Sequence, residues 1–375
     1  MSESSNELVV KPAPHISAPM TKTRLMQYTF FAILAVTVVS AAILSQVTTP
    51  SGWNLGLTVA IGALIAIGVA VGIDVLIGKL ASDSELNIWS AMVFGLIVIN
   101  CYTLGIPAMN LGTPGIPAEA PLAFFYIAAI SAVGMGVFKK VASMAGRKFV
   151  NPAAAAKLLV LLPVIGSTFF VTEHLTSSAG NMLGVPALAG PLSATQIIGE
   201  NGLASFGSYL QGCYANPSAM ATGVLPDIPT LMILSKYHGW VGGASSLAVI
   251  IAGIALFVLA RKYIKWKITV SYLVAIAALS LIFSFMFGDA DLTTRLLFTV
   301  FMGSSIFLAF FMATDPATTP LSGIGQIIFG VGLAVLTILI QTYMNFFGGS
   351  LLALLIMNLT VPLIDRIGIR KPFGR

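Results

Sequence analysis

The stretch LGLTVAIGALIAIGVAVGIDVLIGK, residues 55–79, decides the fold. It is one uninterrupted apolar run whose only ionisable groups, Asp74 and Lys79, come late. A run of this length is what an α-helix needs to cross a hydrocarbon layer about 30 Å thick. Nine similar runs lie near 25–46, 87–106, 121–138, 152–172, 243–260, 268–287, 295–313, 323–343 and 348–365. The fold expected is an all-α polytopic membrane protein of about ten transmembrane helices.

Composition agrees. Of the 375 residues 57% are hydrophobic and only 9% charged, and the mean hydropathy is +0.96. A soluble domain carries about 25% charged residues, so the bilayer is the solvent of this chain. The 36 glycines and 19 prolines fit, because neighbouring membrane helices can satisfy the backbone groups these residues free. The breaks between runs are polar or turn-forming, as in TTPSG (48–52), GDADL (288–292) and MATDPATTP (312–320).

The basic residues sort by side. Sixteen of the nineteen fall in the N-terminal tail, after the second, fourth and sixth runs, or at the C-terminal end. Lys236 and Arg295 fall on the other side, and Lys157 lies within a run. By the positive-inside rule both termini are expected in the cytoplasm and residues 173–242 outside. The net charge of +6 is thereby explained by topology, with no nucleic-acid partner. The first run is too long for a signal peptide and is expected to be retained.

The chain divides into a tail (1–24), five helices (25–172), an external loop (173–242), five helices (243–367) and a second tail (368–375). SAMVFGLIVINCYTLGIP (90–107) and FTVFMGSSIFLAFFMATDP (298–316) both run apolar into a proline-containing break. An odd number of spans per half inverts the second half, so two inverted five-helix repeats are expected, with sites at their interface.

The external loop contains GPLSATQIIGENG, residues 190–202. Loops of this length are functional or disordered. Ser193 and Thr195 could form a turn or cap a helix starting at Gln196, and a hydroxyl can also be a point of covalent attachment. Within the spans, ionisable groups are costly and suggest function by default. Lys157 could snorkel, or pair with Asp74 or with flavin or quinone oxygens. Asp74 could be an ordinary interfacial acid. Asp315 before Pro316 could cap the ninth helix, and Asn151 before Pro152 could cap the fifth. The three histidines lie outside the spans, which disfavours a membrane haem. Two distant cysteines, Cys101 and Cys213, cannot alone hold an iron–sulfur cluster and are expected to be small buried hydrophobes. No Walker motif occurs, which disfavours an ATP-driven pump.

Five blocks, in order, carry a resemblance: APHISAPMTKTRLM (13–26), SAMVFGLIVI (90–99), GRKFVNPAAAAKLLVLLP (146–163), FFMATDPATTPLSGIGQIIFG (310–330) and LLALLIMNLTVPLIDRIGIRKPFG (351–374). They are similar to the RnfD/NqrB family, the flavin-carrying membrane subunits of Rnf-type ion-translocating electron-transfer complexes. The resemblance implies FMN esterified through its phosphate to Thr195, in Leu192-Ser193-Ala194-Thr195, where the family pattern is Ser-Gly-Ala-Thr. Ser218-Ala219-Met220-Ala221-Thr222 is a poorer second candidate. In GWVGGASSLAV (239–249), Gly243 and Ala244 stand where the family has Glu and Thr.

The resemblance further implies a prokaryotic cell-membrane protein that passes electrons between redox subunits of a ferredoxin:NAD-type oxidoreductase, coupled to sodium or proton movement. It implies a second flavin, such as riboflavin, within the helices and a cation path drawing on Asp315, Asp74, Asn151 and Lys157. Its implied partners are a peripheral subunit with covalent FMN, two small membrane subunits sharing an iron–sulfur centre, soluble iron–sulfur and nucleotide-binding subunits, a flavin transferase and membrane lipid. Two alternatives stay open: a channel or permease of urea-transporter-like fold, and a structural subunit without flavin.

Overall fold

The computed structural model describes residues 20–46, 52–81, 86–102, 121–144, 146, 148–169, 233, 240–287, 292–301, 305–343 and 349–367. Thr195, Ser193 and Ala194, with the rest of the external loop up to 232, lie outside the described residues, as do His15, His174, His238 and Cys213.

The regular structure is helical throughout the described residues. In the first half α1 is Lys22–Leu44, α2 Leu55–Leu80, α3 Ile88–Cys101, α4 Leu122–Met144 and α5 Pro152–Phe169. In the second half α6 is Ser246–Leu259, α7 Trp266–Phe287 and α9 Gly323–Tyr343, with α10 at Gly349–Ile367. The element between α7 and α9, α8, is described as Leu292–Phe301, then Ser305–Phe307 running into a π turn, Leu308–Met312.

The ten expected runs match these ten elements, with a correction to length. Among the described residues six helices are long and apolar enough to cross a membrane. By contrast α3 and α6 have 14 residues each, so each is about 21 Å long and shorter than the hydrocarbon layer. The third run was expected to continue to 106, but the helix stops at Cys101 and Tyr102 takes an extended backbone (φ −72°, ψ 145°). Hydropathy persists past the stop, which is why the sequence overestimates the helix.

Helix starts are set by side-chain caps. Asn54 accepts from the Leu57 N–H (3.1 Å) and donates to the Ser45 carbonyl (2.7 Å), so one amide both starts α2 and ties it to the end of α1. Asn87 caps α3, Ser245 caps α6 and Ser322 caps α9. Close helix approach relies on small residues. A Cβ on Gly95 of α3 would lie 2.7 Å from the Ile67 Cα of α2, and one on Gly330 of α9 would lie 2.7 Å from the Ile268 carbonyl of α7.

Packing repeats between the halves. The second helix of each packs on the third and fourth, and the fourth on the fifth. Between halves α1 packs on α6 and α5 on α10, first against first and fifth against fifth. That pattern is the one a two-fold relation between halves produces. The buried core runs through both halves, from Ile33 and Leu55 to Leu354 and Val361.

Candidate functional site

Buried ionisable and amide side chains gather in two places: a pair of adjoining cavities at the lysine-rich face, and a buried junction deeper between the halves.

The larger cavity, about 220 Å³, lies between α1, α3, the start of α5, the end of α6 and the end of α8. Its walls are aromatic and aliphatic (Phe94, Phe310, Phe311), and its polar rim is Lys139, Lys148, Asn151, Thr314 and Asp315. The second cavity, about 180 Å³, is lined by Asp74, Asn87, Lys140 and Ser143, and shares Lys22, Ser90, Lys139 and Lys148 with the first.

Two π turns shape this face. The turn Gly134–Val141 in α4 carries Lys139 and Lys140 in succession, and each reaches a different neighbour. Lys139 donates to the Ser90 carbonyl of α3 (2.6 Å) and sits 5.3 Å from the centre of the Phe94 ring. Lys140 forms a buried ion pair with Asp74 of α2. π turns inside α-helices are frequent at functional sites because they re-aim the side chains they carry. The second, Leu308–Met312, ends α8 just before Asp315.

Asn151 organises the floor. Its Oδ1 accepts from the Ala153 and Ala154 N–H groups (3.1 and 3.2 Å), which makes it the cap of α5 as expected. Its Nδ2 donates to the Met312 carbonyl (3.2 Å), and its N–H donates to Asn358 Oδ1 of α10 (2.8 Å). Asn358 in turn donates to the Thr318 carbonyl (3.1 Å). Two buried amides thus lock the start of the fifth helix to the turn that follows the eighth.

Asp315 does not cap the ninth helix. Its carboxylate accepts from the Ala317 N–H (3.1 Å) and the Thr318 hydroxyl (3.5 Å), closing its own turn, while Ser322 caps α9. Lys265 Nζ holds the same turn from outside, donating to the Pro316 and Thr319 carbonyls (3.1 and 2.8 Å). Burial pushes the Lys148 ammonium below the ordinary lysine value; Asp315 opposes this, and Lys22 and Lys140 add to it. Burial also lowers Lys265, against the pull of Asp315 and Asp365.

The four candidate path residues are therefore not one cluster. Asp315 and Asn151 line one cavity, and Asp74 lines its neighbour. Asp74 is not an ordinary interfacial acid, being 1% exposed and paired with Lys140. Lys157 neither snorkels nor pairs with Asp74. It is fully buried, about 9 Å along α5 from Asn151. There it donates to the Cys101 carbonyl at the end of α3, and its nitrogen lies 4.5 Å from the centre of the Trp240 ring. Cys101 itself is buried and free of a disulfide, as expected, and its thiol donates to the Val98 carbonyl (3.3 Å).

Sequence reasoning missed Lys139, Lys140, Trp240 and Asn358. Both lysines were absorbed into the charge count that sets topology. Their position directly after an apolar, glycine-containing stretch, with no intervening polar residue, was the available hint.

A polytopic helical chain with buried charged and amide side chains at the contact of two similar halves has the build of a membrane protein of the transport class. The chain belongs to the NQR2, RnfD, RnfE family, whose pattern it matches over residues 9–374. Its relatives include D-type subunits of three complexes. To that of the Na(+)-translocating ferredoxin:NAD(+) oxidoreductase complex of Acetobacterium woodii it is 28% identical over 369 residues, covering 98% of this chain and 95% of the other. To that of the ion-translocating oxidoreductase complex of Shewanella amazonensis it is 32% identical over 263 residues, covering 66% of this chain and 71% of the other. To that of the proton-translocating ferredoxin:NAD(+) oxidoreductase complex of Clostridium ljungdahlii the identity is 29% over 290 residues, 76% of this chain and 74% of the other.

Proposed function

We propose that this chain is the D-type membrane subunit of an ion-translocating, ferredoxin:NAD-type oxidoreductase complex in a prokaryotic cell membrane, with both termini cytoplasmic and residues 173–242 external. The observation that carries this reading is the family match over nearly the whole chain, to relatives named for that complex. Thr195 carries FMN through a phosphoester, added by a flavin transferase; Ser193 and Ala194 keep its surroundings small. The remaining partners are those implied by the sequence: a peripheral covalent-FMN subunit, two small membrane subunits and soluble iron–sulfur and nucleotide-binding subunits.

The 220 Å³ cavity is the place this reading assigns to the ring system of a second flavin, of the riboflavin type. Phe94, Phe310 and Phe311 give it an aromatic lining suited to a planar ring, and Lys148 and Thr314 are polar groups among the lining residues. A bound flavin supplies the electron-carrying chemistry. The chain positions it, keeps it from bulk water and places Lys139 and Lys148 where added negative charge is offset. Asp315, at the cavity rim, is the proposed entry for the coupling cation, and the relatives' names include both sodium and proton.

The test is co-expression with an active flavin transferase, followed by denaturing electrophoresis and ultraviolet illumination. A fluorescent band that disappears in Thr195→Ala and persists in Thr222→Ala supports the reading. A dark wild-type band beside a fluorescent control substrate supports the channel or the flavin-free structural role.

A further inference from the structure

The positive-inside rule explains which face the lysines occupy, but not why four of them line one cavity. Lys22 opens α1, Lys139 and Lys140 sit on the π turn of α4, and Lys148 lies between α4 and α5. All four line the 180 Å³ cavity. They come from three separate stretches of chain and meet only in the fold.

Asp74 is the one carboxylate among the described residues that line this cavity, and both its oxygens are engaged. One pairs with Lys140, and the other accepts from the Asn87 N–H (3.2 Å). Asp315 lines the neighbouring cavity, where its carboxylate closes its own turn. Among the described residues Lys139 and Lys148 therefore line the cavity without a carboxylate of their own. Lys139 donates to a neutral group, the Ser90 carbonyl. Lys148 is crowded by like charge, since burial disfavours its ammonium and Lys22 and Lys140 add to that. The starts of two helices strengthen the positive field, because Lys22 is the first residue of α1 and Asn87 is the cap of α3.

An anion is what such a cavity lacks. An ammonium brings three donors, and its bonds to an oxyanion are charge-assisted. Ser143 adds a hydroxyl to the lining. The volume exceeds that of several water molecules, each about 30 Å³ in the liquid, so a tetrahedral oxyanion has room. Basic pockets between helices on the cytoplasmic side are also where phospholipid headgroups dock.

We propose that the cavity lined by Lys22, Lys139, Lys140 and Lys148 binds a phosphate group, free or in the headgroup of an anionic phospholipid, with Lys139 and Lys148 as its charge partners. A phosphate there ties the start of α1 and the start of α3 to the chain that joins α4 to α5. The site does not depend on what fills the aromatic cavity beside it, so its failure leaves the flavin reading untouched.

The experiment uses the purified whole complex, washed free of lipid in uncharged detergent. Equilibrium dialysis measures the binding of radioactive inorganic phosphate and, separately, of radioactive dioctanoyl phosphatidylglycerol, with dioctanoyl phosphatidylcholine as the zwitterionic reference. Lys148→Gln raises the half-saturating concentration of the bound probe at least about tenfold, and Lys148→Arg restores it. Met144 is exposed and lines this cavity but not its neighbour. Met144→Glu keeps every lysine, brings a negative charge to the site and weakens binding about fivefold or more. Lys262→Gln, which alters an exposed lysine of the basic face outside the cavity, binds as wild type does.

Tighter binding of phosphatidylglycerol than of inorganic phosphate and phosphatidylcholine assigns the site to a lipid headgroup. Saturable binding of inorganic phosphate, with no advantage for the lipid, assigns it to a free ion. If neither probe distinguishes wild type from Lys148→Gln and Met144→Glu, the site is overturned. It is equally overturned if Lys262→Gln weakens binding as much as Lys148→Gln, since the attraction then belongs to the whole face. Should Lys148→Gln fail to assemble, Met144→Glu decides alone.

Discussion

Two lysines of this chain are buried to nearly the same degree and answer the cost in different ways. Lys140, on the π turn of α4, has a carboxylate partner, Asp74, beside a polar cavity at the basic face. Lys157, on α5, is held by a backbone carbonyl and an aromatic ring at the meeting of the halves. The first arrangement is a structural pair: each charge neutralises the other and neither can leave cheaply. The second sets the nitrogen against a backbone carbonyl and an aromatic face, at the end of another helix. The contrast separates a pair formed between two helices from a contact formed at the end of one.

Substitutions can break that contrast, and the largest effect belongs to the ion pair. Asp74→Ala leaves Lys140 buried without its carboxylate and should cost about 3–5 kcal/mol. Adding Lys140→Met to it should recover most of the loss. Thermal unfolding of the detergent-solubilised complex measures both; a double variant no better than the single would show that the pair does not act as a unit. Lys157→Met, which removes the ammonium and leaves the Cys101 carbonyl unmet, should cost less, about 1–3 kcal/mol in the same assay. A loss as large as that of Asp74→Ala would erase the distinction.

Asn151→Ala removes the cap of α5 and its side-chain link to Met312, keeps the backbone link to Asn358, and should cost about 2 kcal/mol. It should also lower the amount of non-covalent flavin released on denaturation, while leaving the covalent fluorescence of Thr195 intact. Equal loss of both would argue for general misfolding. The smallest effect concerns Lys148, whose ammonium is disfavoured in the folded protein. Its folded-state penalty is present at low pH and is relieved as pH rises from the depressed folded value toward the ordinary lysine value of about 10.4. Stability should therefore rise slightly through that alkaline window, and Lys148→Gln should flatten the rise.

The sequence disclosed the elements whose cause is local. A span is a property of twenty neighbouring residues, so ten apolar runs became ten helical elements. Asn151 before Pro152 was legible as a cap because capping acts within three residues. Partnerships were not legible. Asp74 finds Lys140 across two helices, and a π turn that no hydropathy reveals aims the lysine. The early end of α3 escaped for a related reason, since the apolar run continues beyond it and hydropathy does not record backbone direction. Lys157 was visible as an oddity, yet its partner is a carbonyl, which every residue possesses and none announces. Thr195 was singled out by resemblance alone, because a hydroxyl in a polar loop has many ordinary uses.

The central claim is that this chain couples ion movement to electron flow and is not a passive channel. The direct measurement is ion uptake by liposomes containing the whole complex, followed while an electron donor is added and exhausted. Uptake should begin with donor oxidation, stop when the donor is spent, and be abolished in Thr195→Ala. Ion movement that proceeds equally without donor, or survives unchanged in Thr195→Ala, would contradict the account.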